Sequence, residues 1–74
     1  MRLPRISGRE EARVFEHAGF AFHHQPGSHM IYYRKSDGRH PSIPDHRELG
    51  VGILRKLVRQ AGLTPEGFTE LHRR

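Results

Sequence analysis

Phe20-Ala21-Phe22-His23-His24-Gln25-Pro26-Gly27-Ser28-His29-Met30-Ile31-Tyr32-Tyr33-Arg34 is the stretch whose reading decides the fold. Phe20 and Phe22 alternate with Ala21 and His23, the two-residue period of a half-buried strand. Pro26-Gly27 marks a turn. Met30 to Arg34 is rich in aromatic and β-branched residues, which suit a pleated, half-buried surface. Two strands joined through a Pro-Gly turn make a hairpin. The turn leads into Gly27-Ser28-His29, which combines flexible backbone, a hydroxyl and an imidazole at the start of the second strand. Tyr32 and Tyr33 point to opposite faces, so one ring enters the core and the other is exposed, where it could stack on an unpaired base.

Working outward, Ser7 and Glu10 form the S-x-x-E pattern of a capping box. Ala12, Phe15 and Ala18, with Val14 beside them, continue a helical stripe, and Gly19 stands where a left-handed cap residue belongs. The spacing predicts a helix over residues 8–18, preceded by a flexible lead-in over residues 1–6. Beyond the hairpin, Ser36-Asp37-Gly38-Arg39 is a second turn signal. A short third strand is expected over residues 40–44. Pro41 and Pro44 cannot donate ladder hydrogen bonds, so this strand belongs at an edge. Leu54, Leu57, Val58 and Ala61 then form the stripe of a second helix that ends at Gly62. Thr64 and Pro65 open a short last helix over residues 65–72, which would dock Phe68 and Leu71. The expected architecture is α+β in the order α-β-β-β-α with a short C-terminal helix. It is a single domain over residues 7–74, with an antiparallel three-stranded sheet and its helices on one face.

Composition narrows the classes. A chain of 74 residues has room for one small core. Its 13 Lys and Arg against 8 Asp and Glu give a formal charge of +5 before any of the seven histidines protonates. That balance favours a polyanion or an acidic protein as partner. There is no cysteine, which excludes a disulfide framework and a thiolate zinc site. No apolar run approaches the length of a membrane span, and Met-Arg-Leu-Pro-Arg lacks the apolar core of a signal peptide, so a cytoplasmic location is expected.

An imidazole titrates near neutral pH, so it can take and return a proton where a polyanion docks. His29 is the candidate on residue type. Gly27 would let the backbone approach a phosphate, and Ser28 could donate a hydrogen bond to one. His24 could face His29 across the hairpin, and His46 sits at the mouth of the second helix; either could share the proton transfers. His23, His24, His40 and His46 read otherwise as polar surface or phosphate contacts, and His17 and His72 as helix surface. Adjacent strand residues point to opposite faces, so His23 and His24 should not share a metal ion. No carboxylate lies beside them at a ligand-like spacing, and no metal or cofactor is expected. The basic residues fall into two groups, Arg34, Lys35 and Arg39 around the Asp-Gly turn and Arg55, Lys56 and Arg59 on the second helix. With His46 they form an expected RNA-binding strip of the type that reads phosphates and shape.

Several segments together carry a resemblance. Ser-Gly-Arg-Glu at 7–10, Ala-Gly-Phe at 18–20 and Gln-Pro-Gly-Ser-His at 25–29 are followed by Ile31-Tyr32, Asp37-Gly38-Arg39, and Ile43-Pro44 with His46. Leu54-Arg55 and Arg59 through Leu63 complete the series. In this order the chain resembles the HicA-type toxins, small mRNA interferases of toxin–antitoxin pairs, over about residues 7–71. The resemblance implies a fold similar to the double-stranded-RNA-binding domain, ribosome-independent cleavage of mRNA, and neutralisation by a HicB-type antitoxin. The family's catalytic histidine follows Gly-Ser and maps onto His29. Many relatives carry a lysine shortly before the glycine that opens the second helix; here Gly50 occupies that region. The alternative is a non-catalytic RNA-binding module of the same fold.

Overall fold

The computed structural model describes residues 5–73. Helix α1 spans Gly8–His17, and its first turn is closed by the expected capping box. The Glu10 amide donates to the Ser7 hydroxyl, and the Ser7 amide donates to the Glu10 carboxylate, each at 3.1 Å. Strands β1 (Ala21–His24), β2 (His29–Tyr33) and β3 (Ser42–Pro44) follow, then helices α2 (Val51–Gln60) and α3 (Pro65–His72). Thr64 caps α3 by accepting from the Gly67 amide at 3.0 Å. This is the expected α+β order of a double-stranded-RNA-binding-like domain. The sheet runs β1-β2-β3 with both pairings antiparallel, so the proline-bearing β3 lies at an edge. No helix among the described residues is long and apolar enough to cross a membrane.

Strand register separates the two faces of the sheet. Met30 pairs with Ile43, and Phe22 with Tyr32, on the face that meets the helices. Met30, Tyr32 and Ile43 are buried with Val14, Phe15, Leu54, Leu57, Val58 and Phe68 in one core. Phe15 and Phe20 pack against each other within it, their rings tilted by 31° with centroids 5.1 Å apart. Two expectations need correction. Phe20 precedes β1 and is buried, but Phe22 is 53% exposed. It lies on the edge strand and covers only the rim of the Tyr32 ring, edge-on at 5.7 Å. The lead-in expected over residues 1–6 also stops short of Ile6, which is buried and accepts a hydrogen bond from the Leu49 amide at 2.8 Å. Residues 1–4 lie outside the described residues.

A guanidinium clamp joins the sheet to two helix ends. Arg34 donates to the Ala18 carbonyl at 2.8 Å, just past α1, and to the Ala61 carbonyl at 3.1 Å, just past α2. It also grips Asp37 with two bonds, at 3.2 and 2.7 Å, and lies over the Phe20 ring at 4.3 Å. Arg39 donates to Asp37 at 2.9 Å and to the Gln60 carbonyl at 2.9 Å. Helix C-termini present carbonyls without intrahelical partners and carry partial negative charge, so cations are stabilising there. Hydrogen bonds from Arg34, then from Arg39, hold the Asp37 carboxyl down at about 2.

The core also contains one acid. Glu11 is fully buried, and neither carboxyl oxygen has a hydrogen-bond partner. Burial pushes its pKa up from 4.5 to about 8, so it is protonated in the neutral folded protein.

Two predictions follow from these groups. The folded state holds the Glu11 proton to higher pH than the unfolded chain does, so stability falls as pH rises from about 4.5 to about 8. At its steepest this fall is about 1.4 kcal/mol per pH unit. Glu11→Gln should remove this slope and leave stability at pH 5 little changed, as read from urea melts at pH 5, 6.5 and 8. Arg34→Met keeps an apolar stem over Phe20 but loses the clamp bonds, and should cost about 3 kcal/mol in the same assay. Arg34→Lys should not restore it, because a single ammonium cannot span two helix ends and a carboxylate.

Candidate functional site

His29 opens β2 on the face of the sheet away from the core, opposite Pro44. Its turn is fixed from two sides. Gly27 has φ +63°, a left-handed conformation that favours glycine. The Ser28 carbonyl accepts from the Asp45 amide at 2.7 Å, tying the turn to the exit of β3. That exit is in turn pinned to α1. The Gly8 amide donates to the His46 carbonyl at 2.8 Å, and a Cβ at Gly8 would lie 1.9 Å from the Pro44 carbonyl oxygen. Arg9 adds an ion pair to Asp45 at 3.3 Å. The His29 ring leans along β3, with Nδ1 3.4 Å from the Ser42 hydroxyl.

That ring lines a cleft of about 320 Å³ between β3 and α2, together with His40, Ser42, Pro44, Ile53 and Lys56, and deepened by Leu57 and Gln60. Ile53, Lys56, Leu57 and Gln60 follow the i, i+3, i+4, i+7 spacing of one helix face, so α2 turns an ammonium toward the imidazole's cleft. Of the seven histidines only His29 and His40 line it. The His40 Nδ1 lies 3.1 Å from the Gly38 carbonyl oxygen. A carbonyl only accepts, so this bond places the proton on Nδ1 and leaves Nε2 of the neutral ring free to accept one. The Ser42 hydroxyl can donate to Nδ1 of His29, which favours a proton on its Nε2. Both imidazoles lie on the strand side of the cleft, and Lys56 lies on its helix side.

The other expected site residues are dispersed. Arg34 and Arg39, expected on the RNA-facing strip, are instead held by Asp37 and by the carbonyls that end α1 and α2. Lys35 is exposed beside them. Arg55 and Arg59 share a second shallow groove with Val58, Leu63 and Pro65, on a different face of α2 from Lys56. His46 is exposed but lines no wall of the His29 cleft. His24 pairs opposite Ile31, on the same open face as His29.

One inference about these histidines fails. A bulge between Phe22 and His24 breaks the alternation of β1. His23 and His24 consequently lie side by side, with their Nδ1 atoms 2.6 Å apart. Among the described residues no three His, Asp or Glu side chains gather as a metal site would require. Sequence reasoning gave no site role to Ser42 or Ile53 and read His40 as polar surface or a phosphate contact. The signal was available in part: once β2 and β3 are paired as a hairpin, alternation puts His29, Ser42 and His40 on one face.

A family model described as the HicA toxin of bacterial toxin–antitoxin systems matches residues 8–63. No curated protein matches the sequence.

Gly8 is the position at which α1 and the exit of β3 meet most closely. Gly8→Ala should force α1 from the β3 exit and destabilise the domain by about 3 kcal/mol. It should also speed hydrogen exchange at the Asp45 amide, which reports the bond to Ser28, relative to the core amides of β2.

Proposed function

The chain belongs to the HicA toxin family of bacterial toxin–antitoxin systems, and on that footing we propose that it is an endoribonuclease that cuts mRNA at the His29 cleft and is silenced by a HicB-type antitoxin in the cytoplasm. The observation that carries this reading is the convergence of His29, the Lys56 ammonium and a second imidazole, His40, on one cleft.

The chemistry needs no metal. A base removes the proton of a ribose 2′-hydroxyl, and O2′ attacks the adjacent phosphorus. The P–O5′ bond breaks as the P–O2′ bond forms, and an acid protonates the departing O5′. The products are a 2′,3′-cyclic phosphate and a 5′-hydroxyl. His29 is the proton-transfer group to which the family's catalytic histidine corresponds. His40, with Nε2 free, is the partner that the cleft supplies, in place of His24 or His46. Lys56 offsets the charge that develops on the nonbridging oxygens, as preorganised cations do in phosphoryl transfer. Gly27 and Ser28 hold the turn at which the backbone meets the phosphate. Lys35, Arg55 and Arg59, exposed on other parts of the surface, draw the polyanion in. An antitoxin of acidic character would compete for the same cations.

The test is incubation of the pure protein with end-labelled single-stranded RNA in a chelator. Wild type should cut and leave cyclic phosphate ends. His29→Ala should slow cutting at least about 100-fold, the lower range for loss of a general acid or base. Lys56→Ala should slow it about tenfold at saturating RNA, and Arg55→Ala should change it less than about twofold, as reasoned from the faces of α2. RNA retarded but uncut by wild type would mean a binding module, and undiminished cutting by His29→Ala would overturn the site.

A further inference from the structure

The face of the sheet turned away from the helices carries three rings that the cleavage step does not use. Tyr33 projects from β2 on this face, opposite Ala21, whose methyl group leaves the ring bare, and the residue is 40% exposed. The bulge in β1 brings His23 toward it, with ring centroids 6.5 Å apart, and His24 packs edge-on against His23 at 4.8 Å. Only one of the two facing Nδ1 atoms can carry a proton, so the histidines hold each other in place through one N–H···N bond. A bulge that re-aims a side chain beside a site is a recurrent device in sheets. Here it converts an alternating strand into a small patch of neighbouring rings.

We propose that this patch is a base-binding subsite, on which an unpaired nucleobase of single-stranded RNA stacks while its backbone runs into the His29 cleft. The inference rests on the reading of that cleft as an RNA site. Tyr33, Ile31 and His29 occupy alternate positions of one strand and so share one face. Four residues of strand separate ring from imidazole by about 13 Å, a span of a few nucleotides. The helices pack on the opposite face, so among the described residues no element covers the rings. Exposed Lys35, two residues beyond Tyr33, supplies a cation for the backbone. A duplex keeps its base faces buried in the stack and has none to offer the ring, whereas every unpaired base has one. The subsite therefore selects single-stranded or looped RNA without reading much sequence.

The test uses His29→Ala as the parent, so that binding is read without turnover, and a fluorescein-labelled single-stranded RNA of about 12 nucleotides, a length chosen to span sheet and cleft. Adding Tyr33→Ala should weaken binding about tenfold, as expected for loss of one stacked base. Tyr33→Phe should bind as the parent does, because the ring and not the hydroxyl makes the contact. Phe22→Ala, which removes an exposed ring from the other face, should have no effect. A duplex of the same sequence should bind equally well to the parent and to the Tyr33→Ala protein.

Four results would each overturn the proposal: no measurable binding by the parent, unchanged binding after Tyr33→Ala, equal weakening for duplex and single strand, or a loss with Tyr33→Phe as large as with Tyr33→Ala. Thermal melts of each variant separate lost stacking from lost folding, with Tyr33→Phe as the folded control. The cleavage reading can fail independently. A wild-type protein that binds single strands through Tyr33 but never cuts them would refute the nuclease and leave the subsite standing.

Discussion

The Arg34 guanidinium ties the sheet to the C-terminal ends of both α1 and α2. It bonds to the carbonyl that ends α1, to the carbonyl that ends α2 and to Asp37 in the turn between β2 and β3. Arg39 repeats the pattern on Asp37 and the Gln60 carbonyl. A planar cation with five donors in a fixed fork can satisfy three acceptors from three directions; an ammonium cannot do so with the same geometry. The clamp settles where α2 ends relative to β3. Lys56 and Gln60 lie on that last stretch of helix, so the clamp also sets the wall that faces His29. A domain of 74 residues has too small a core to fix such details by apolar packing alone, and charged hydrogen bonds at helix ends add direction where the core adds mainly cohesion.

How much could be read from the sequence follows from which interactions are local. The capping box, the left-handed Gly19, the Thr64-Pro65 helix start and the edge position of the proline-bearing strand each depend on a few neighbouring residues, and all are present. The split between Tyr32 and Tyr33 follows from strand alternation, and it too is observed. The bulge at His23 was not legible, because one extra residue in a strand leaves no trace in composition and only the partner strand reveals it. The roles of Arg34 and Arg39 were hidden for a related reason. An arginine beside a turn looks the same whether its acceptor is a phosphate or a helix C-terminus sixteen or more residues away. For the site, His29 could be picked out by residue type and by resemblance, but its neighbours Ser42, His40 and Lys56 come from a strand register and a helix rotation that are tertiary facts.

Fold and chemistry separate cleanly in this protein. A helix–three-strand–helix arrangement is a scaffold, and scaffolds of one architecture host unrelated activities. What distinguishes a cutter from a binder is a proton-transfer group held where a phosphate can sit. In the reading proposed above that group is His29, which stands at the open face and not in the core. Its turn is fastened to β3 by the Asp45 amide, and β3 is fastened to α1 where Gly8 leaves no room for a side chain. Rigidity reaches the imidazole through backbone contacts, so the turn is held in shape while His29 itself stays exposed.

Net charge is a poor guide to which cations are free to meet an anion. Of the cations counted in the formal +5, Arg34 and Arg39 are neutralised by Asp37 and helix ends, Arg9 by Asp45, and Arg5 lies 3.8 Å from Glu48. At physiological salt an exposed charge is screened beyond about 8 Å. An exposed charge therefore acts locally, and Arg55 and Arg59 line a separate groove from the one that Lys56 shares with His29. Lys56 lines the cleft that holds His29, on a helix whose C-terminal end is clamped by Arg34 and Arg39.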